Sequence, residues 1–183
     1  MMPNKLLLNL NFCRPSEEDR SASLPNISAI LASLFLSFFL MQAQARPLTP
    51  YHSGDWPKLM AQIKGQSAII HIWGFSCGPC VEELPAWGNF AAKYPSGKLI
   101  LLEVDQVPEE MTLKTLMDAK LMNVENYVTA EYFDDYMRYE VDSKWMGELP
   151  ITLLIDPKGA IKRLRGSADF KTIEQWATKN AYR

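Results

Sequence analysis

The chain is short of the residues that most often announce a function. Its 183 residues include three cysteines and two histidines, and 19 basic against 21 acidic side chains leave a net charge of −2. That balance excludes a broad electrostatic grip on nucleic acid or on anionic lipid. Contact with a membrane is left to a single N-terminal segment. Three cysteines are too few for a structural disulfide framework. His52 and His71 together with two cysteines would only just supply the four ligands of a closed zinc site, at a spacing unlike compact zinc motifs. Internal repeats and low-complexity segments are missing from the sequence. What is present, 48% hydrophobic and 22% charged residues, is the composition of one ordinary globular domain.

Charge is also missing locally. From Ser21 to Ala45 there is no Asp, Glu, Lys or Arg, and Ile27 to Met41 is almost wholly apolar. This is an export signal. Ala43 and Ala45 put small side chains where signal peptidase needs them, so cleavage after Ala45 would leave a domain of residues 46–183. The same stretch, at about 1.5 Å per residue, is long enough to cross a bilayer as an uncleaved anchor. Lys5, Arg14 and Arg20 are offset by Glu17, Glu18 and Asp19, which removes the usual positive bias of a signal peptide. Residues 1–45 are therefore read as a signal peptide or an N-terminal membrane anchor. In either case the folded part lies outside the cytoplasm, in the periplasm of a two-layered envelope, and Cys77 and Cys80 are its cysteines.

Hydrophobic periodicity gives the elements. Residues 53–65 read as a short helix capped by Ser53 or Asp55 and ended by Gly65, and "SAIIHIW" reads as a buried central strand. Gly78 to about Tyr94 is helix-compatible with Pro85 as an interruption, "KLILLEVD" is a second buried strand, and a third helix places Leu113, Leu116, Met117 and Leu121 on one face. Residues 106–147 are expected as a helical insertion, in which Tyr132, Phe133, Tyr136, Met137 and Tyr139 pack inward. A hairpin over 150–165 and a closing helix that turns Phe170, Ile173, Trp176 and Ala177 inward complete the chain. The order predicts an α/β domain with a central mixed β-sheet and helices on both faces.

The strand "SAIIHIW" runs directly into "GFSCGPC". A cysteine at such a strand-to-helix junction meets unpaired backbone N–H groups and the positive end of the helix dipole, both of which favour a thiolate. Cys77 would be the attacking sulfur, and Cys80, one turn further in, would stay protonated until needed to resolve a mixed disulfide.

"IIHIWGFSCGPCVEELP" resembles the active-site segment of the thioredoxin superfamily, and in particular its exported TlpA/ResA-like thiol:disulfide oxidoreductases. The likeness rests on Trp73, the complete CGPC, Glu83 and Pro85, and on "GELPITLLIDPKG", which resembles the family's cis-proline segment at Pro150. It runs from about Asp55 to Asn180. The resemblance implies a thioredoxin-like fold. It makes Cys77 the nucleophile, Cys80 the resolving thiol, and Gly78 and Pro79 the dipeptide that tunes the potential. It places Trp73, Leu149 and Pro150 at the substrate surface, with the Leu149 backbone pairing to an extended substrate segment. An acid at Glu83 is implied to influence thiol acidity, while Glu82 projects elsewhere. No cofactor is implied. The implied partners are proteins carrying disulfides and a membrane electron donor of the DsbD type.

Two residues depart from the pattern. Ser76 stands where relatives commonly carry an aromatic, which leaves substrate choice open. His71 stands where thioredoxins carry a buried acid; it is read either as a proton acceptor for Cys80 or as a neutral core histidine. CGPC is the motif of reducing thioredoxins, whose potential lies near about −270 mV, so an exported disulfide reductase is the first functional reading. Cytochrome c maturation and general protein repair are its substrate routes. A disulfide-forming oxidase and a copper-handling thiol module are the alternatives.

Overall fold

The computed structural model describes residues 48–182, and the leader with its signal or anchor reading lies outside the described residues. Among the described residues no helix is long and apolar enough to cross a membrane. The elements are β1 (Thr49–Tyr51), α1 (Trp56–Gln62), β2 (Ala68–Trp73), α2 (Gly78–Lys93), β3 (Lys98–Glu103), α3 (Glu109–Asp118), β4 (Glu125–Thr129), α4 (Asp135–Val141), β5 (Ile151–Ile155), β6 (Ile161–Arg165) and α5 (Phe170–Lys179). The strands make one sheet in the order β1-β4-β3-β2-β5-β6. The first four in that order are parallel; β5 is antiparallel to β2, and β6 to β5.

β2 is at the centre and every residue of it is buried. Its β-branched isoleucines suit a strand covered on both sides. Period-two alternation divides the core. Ile69, Trp73, Leu99, Leu101 and Leu154 face α2, α3 and α5. Ile70, Ile72, Ile100, Leu102, Leu153 and Ile155 face α1 and α4. Each fully buried aliphatic side chain contributes about 1.5–3 kcal/mol, so this double layer is what fixes the register of β2 and hence the position of the loop behind it. On the first face, α2 passes very close to the end of α3: a Cβ on Gly88 would lie 1.9 Å from the Ala119 carbonyl oxygen.

The helical reading of residues 106–147 is corrected in its middle. Glu125–Thr129 is a strand, and α4 keeps only Asp135–Val141 of the expected longer helix. β1, which pairs with β4 at the sheet edge, was not expected either. The stripe of α4 is also corrected: Met137 is buried, but Tyr132, Tyr136 and Tyr139 are exposed. Of the face expected for α3, Leu116 and Leu121 are buried but Met117 is exposed, and Thr112 and Ala119 face inward in its place. A seven-residue helix has room for one buried turn, and in α4 Met137 and Val141 fill it.

Candidate active site

The loop after β2 delivers Cys77 as the N-cap of α2, in extended geometry, and Pro79 sits in the first turn, where its missing N–H costs nothing. The Cys80 N–H donates to the Cys77 carbonyl at 3.0 Å and faces the Cys77 sulfur at 3.3 Å. The two cysteines are joined as a disulfide, with Cα atoms 5.3 Å apart. Cys77 is half-buried, Gly78 and Pro79 are exposed, and Cys80 is fully buried in the α2 face of the core. One sulfur is therefore reachable from solvent and the other is not. The reachable one lies where the helix N-terminus stabilises negative charge.

Leu149 and Pro150 approach from the other side of the chain through a cis peptide bond. The half-buried Leu149 and the exposed Ser76 line one cleft. Trp73, expected at the substrate surface, is instead 0% exposed. It points inward with the period of β2 and lies 5.1 Å from the Phe75 ring, so it supports the loop from below.

His71 shares that inward face. Its Nδ1 and the Thr152 hydroxyl are hydrogen-bonded at 3.0 Å across β2 and β5, and its ring lies 4.6 Å from Trp87. Its Nε2 lies 3.3 Å from Glu83 Oε1, within ion-pair distance but without hydrogen-bond alignment. Burial pushes the imidazole down to about 3, so it is neutral at neutral pH. Burial likewise raises the Glu83 carboxyl above its ordinary range, against the pull of two donors: Ala168 N–H at 2.8 Å and Trp87 Nε1–H at 3.2 Å. Glu82 is exposed.

Two acids at the end of β3 complete the site and were missed in the sequence. Asp105 accepts from the Ser76 N–H at 2.6 Å and from its hydroxyl at 3.2 Å, which ties the cysteine loop to the neighbouring strand. A Cβ on Gly74 would lie 2.7 Å from that carboxylate, so the glycine leaves room for Asp105 to reach the loop. Glu103, 2% exposed, holds Asp105 in turn by accepting its N–H at 2.7 Å. Burial pushes Glu103 up to about 7, with the Asp105 charge adding to the rise. The signal that could have found them is positional: an acid at the carboxyl end of a parallel strand beside the cysteine strand lies where α/β sheets build sites. His52 lies elsewhere, against Glu131. Among the described residues no group of three or more His, Cys, Asp or Glu side chains is arranged to hold a metal ion.

A sheet of this order, with a CGPC disulfide at the start of the helix after the central strand, defines a thioredoxin-like thiol:disulfide oxidoreductase. No protein-family model matches the chain. It is 26% identical over 119 residues to sporulation thiol-disulfide oxidoreductase A of Bacillus subtilis (strain 168), an alignment that covers 62% of this chain and 67% of that protein. Its fold is similar to that of a secreted Mycobacterium tuberculosis disulfide oxidoreductase homologous to E. coli DsbE (TM-score 0.52, 12% identity, 65% of this chain and 85% of the other). It is also similar to that of a thio-disulfide isomerase from Thermus thermophilus (TM-score 0.52, 17% identity, 68% and 84%). Sequence and fold together fit the TlpA/ResA-like branch of the thioredoxin-like oxidoreductases.

Proposed function

We propose that the chain is an exported disulfide reductase acting on proteins outside the cytoplasm. The observation that carries this reading is the asymmetry of the CGPC pair: Cys77 half-exposed on the helix N-terminus, Cys80 fully buried behind it. In the dithiol form the Cys77 thiolate attacks a substrate disulfide, forming a mixed disulfide and expelling one substrate thiolate. Cys80, losing its proton, then attacks the Cys77 sulfur, expels the second substrate thiolate and closes the Cys77–Cys80 bond. Two electrons pass to the substrate, and a membrane dithiol donor of the DsbD type returns them.

His71 and Glu83 are the groups assigned to the Cys80 proton. Both lie on the Cys80 side of the sheet; burial keeps His71 neutral and raises the affinity of the Glu83 carboxylate for a proton, so a proton taken by that carboxylate removes a buried charge and leaves none behind. Leu149 and Pro150 present the backbone edge to which an extended substrate segment pairs. Export is supported by the uncharged stretch of residues 21–45 and by the secreted relative.

A Cys80→Ser variant in the native host should hold substrates as mixed disulfides on Cys77, and apocytochrome c among them would identify the cytochrome route. If Cys77 stays reactive and traps nothing, the exchange reading fails. The direction is tested by equilibration with glutathione. A potential near about −270 mV supports a reductase, and one above about −150 mV makes the protein an oxidase.

A further inference from the structure

A cleft of about 350 Å3 lies beside the disulfide. Ser76 and Leu149, the neighbours in sequence of Cys77 and Pro150, form part of its wall, so it is continuous with the exchange site. Three charged side chains face it: Asp105, Asp135 and Arg138. Arg138 is ion-paired with Asp135. It also packs over Gly147, where a Cβ would lie 3.0 Å from the guanidinium. Asp105 is different. Among the described residues no cation lies within ion-pair distance of it, and its carboxylate is fixed in direction by the Ser76 N–H and hydroxyl. The cleft thus carries one uncompensated negative charge, one residue from the reactive cysteine. Tyr132 and Met146, also in the wall, are 78% and 80% exposed. Large apolar side chains held that far into water on the rim of a cleft are available for contact with a partner.

A fixed carboxylate beside the reactive sulfur, with apolar side chains around it, is complementary to an extended polypeptide whose disulfide cysteine is flanked by lysine or arginine. We propose that this cleft is a specificity subsite that selects a cationic residue next to the substrate cysteine, with Asp105 as its counter-charge and Tyr132 and Met146 as its apolar walls. The proposal rests on the exchange reading above and names the substrate class for it.

The test uses two disulfide-bridged peptides that are identical except for Lys or Glu beside the attacked cysteine. 2-Hydroxyethyl disulfide serves as a reference, being uncharged and too small to fill the cleft. The reduced wild-type protein should favour the Lys peptide by about threefold to fivefold in kcat/KM, a partly exposed charge pair being worth up to about the larger factor. The preference should shrink toward unity in Asp105→Asn and with added salt. A Tyr132→Ala, Met146→Ala double variant should raise KM for both peptides and leave the 2-hydroxyethyl disulfide rate as it was. Equal rates for the two peptides, a preference for Glu, or a Lys preference that survives Asp105→Asn would each overturn the proposal. So would a dimer by sedimentation that the double variant dissolves, which would make a second copy of the chain the occupant. Failure to react even with 2-hydroxyethyl disulfide would instead remove the exchange reading itself.

Discussion

Replacing Glu103 with glutamine should widen the stability gap in favour of the variant by about 2 kcal/mol between pH 5 and pH 8. Burial holds this carboxyl at about 7 in the folded protein, against an ordinary value of 4.5. The folded chain therefore binds more protons than the unfolded chain over that interval. The group's contribution to stability is complete below about pH 4.5 and is lost as the pH rises through about 7. Integrated from pH 5 to pH 8 at about 1.36 kcal/mol per proton and pH unit, the loss is about 2.5 kcal/mol, and some water contact through the adjoining cavity reduces it to about 2. That cavity, of about 130 Å3, is lined by two further titratable groups, Asp105 and Glu109. Glutamine stays neutral throughout and keeps a carbonyl oxygen for the Asp105 N–H, which Glu103 accepts at 2.7 Å. The assay is urea unfolding of the disulfide-closed protein, in which neither thiol titrates. His71 acts in the opposite sense below its ordinary 6.5, since its folded value is lowered, and it cancels because both proteins carry it. Parallel pH profiles for variant and wild type would refute the reasoning. So would an Asp105 backbone amide resonance that keeps one position from about pH 5 to pH 8 in the wild type, because that N–H donates directly to the Glu103 carboxyl.

Glu83→Ala removes the acceptor of two N–H groups, Trp87 Nε1–H and Ala168 N–H, and should destabilise the fold by about 2–4 kcal/mol in urea unfolding at neutral pH. A cost below about 1 kcal/mol would mean that water replaces both bonds. Gly88→Ala should lower the thermal midpoint by a loss of at least about 2 kcal/mol, because the new methyl meets the Ala119 carbonyl at 1.9 Å. A stabilised variant, as helix propensity alone would give, would show that α2 and α3 are not packed this closely.

The parts of the fold legible in sequence are those where burial on both sides leaves a continuous apolar run. β2 and β3 announce themselves in this way, and the chain between and after them had to supply covering helices. β4 was illegible because a strand near a sheet edge mixes polar and apolar residues: Asn126 is buried but spends its amide on the Leu121 and Val124 carbonyls, which looks like turn chemistry. β1 is three residues long and contains Pro50, which reads as a strand only once β4 is there to pair with it. The inward set on α4 was overcalled because spacing alone does not reveal that the helix is seven residues long. At the site, the cysteine pair and Pro150 were readable as local motifs. Asp105 and Glu103 were not, since their meaning depends on the register that sets Glu103 beside Trp73.

That register also explains how the site manages charge. His71 and Trp73 of β2 and Glu103 of β3 all point to the α2 face, and Glu83 reaches the same layer from α2 itself. Burial drives each titratable member toward its uncharged form, raising both carboxyls and lowering the imidazole. The imidazole is therefore uncharged near neutral pH while Glu103 titrates at about 7, and the N-terminus of α2 and Asp105 outside the core are the charges set beside Cys77. These two oppose each other, because the helix end favours a thiolate and the carboxylate disfavours one. A cation brought by the substrate against Asp105 would remove the unfavourable partner at the moment the thiolate is needed. Substrate selection and thiol activation are then consequences of one fixed carboxylate.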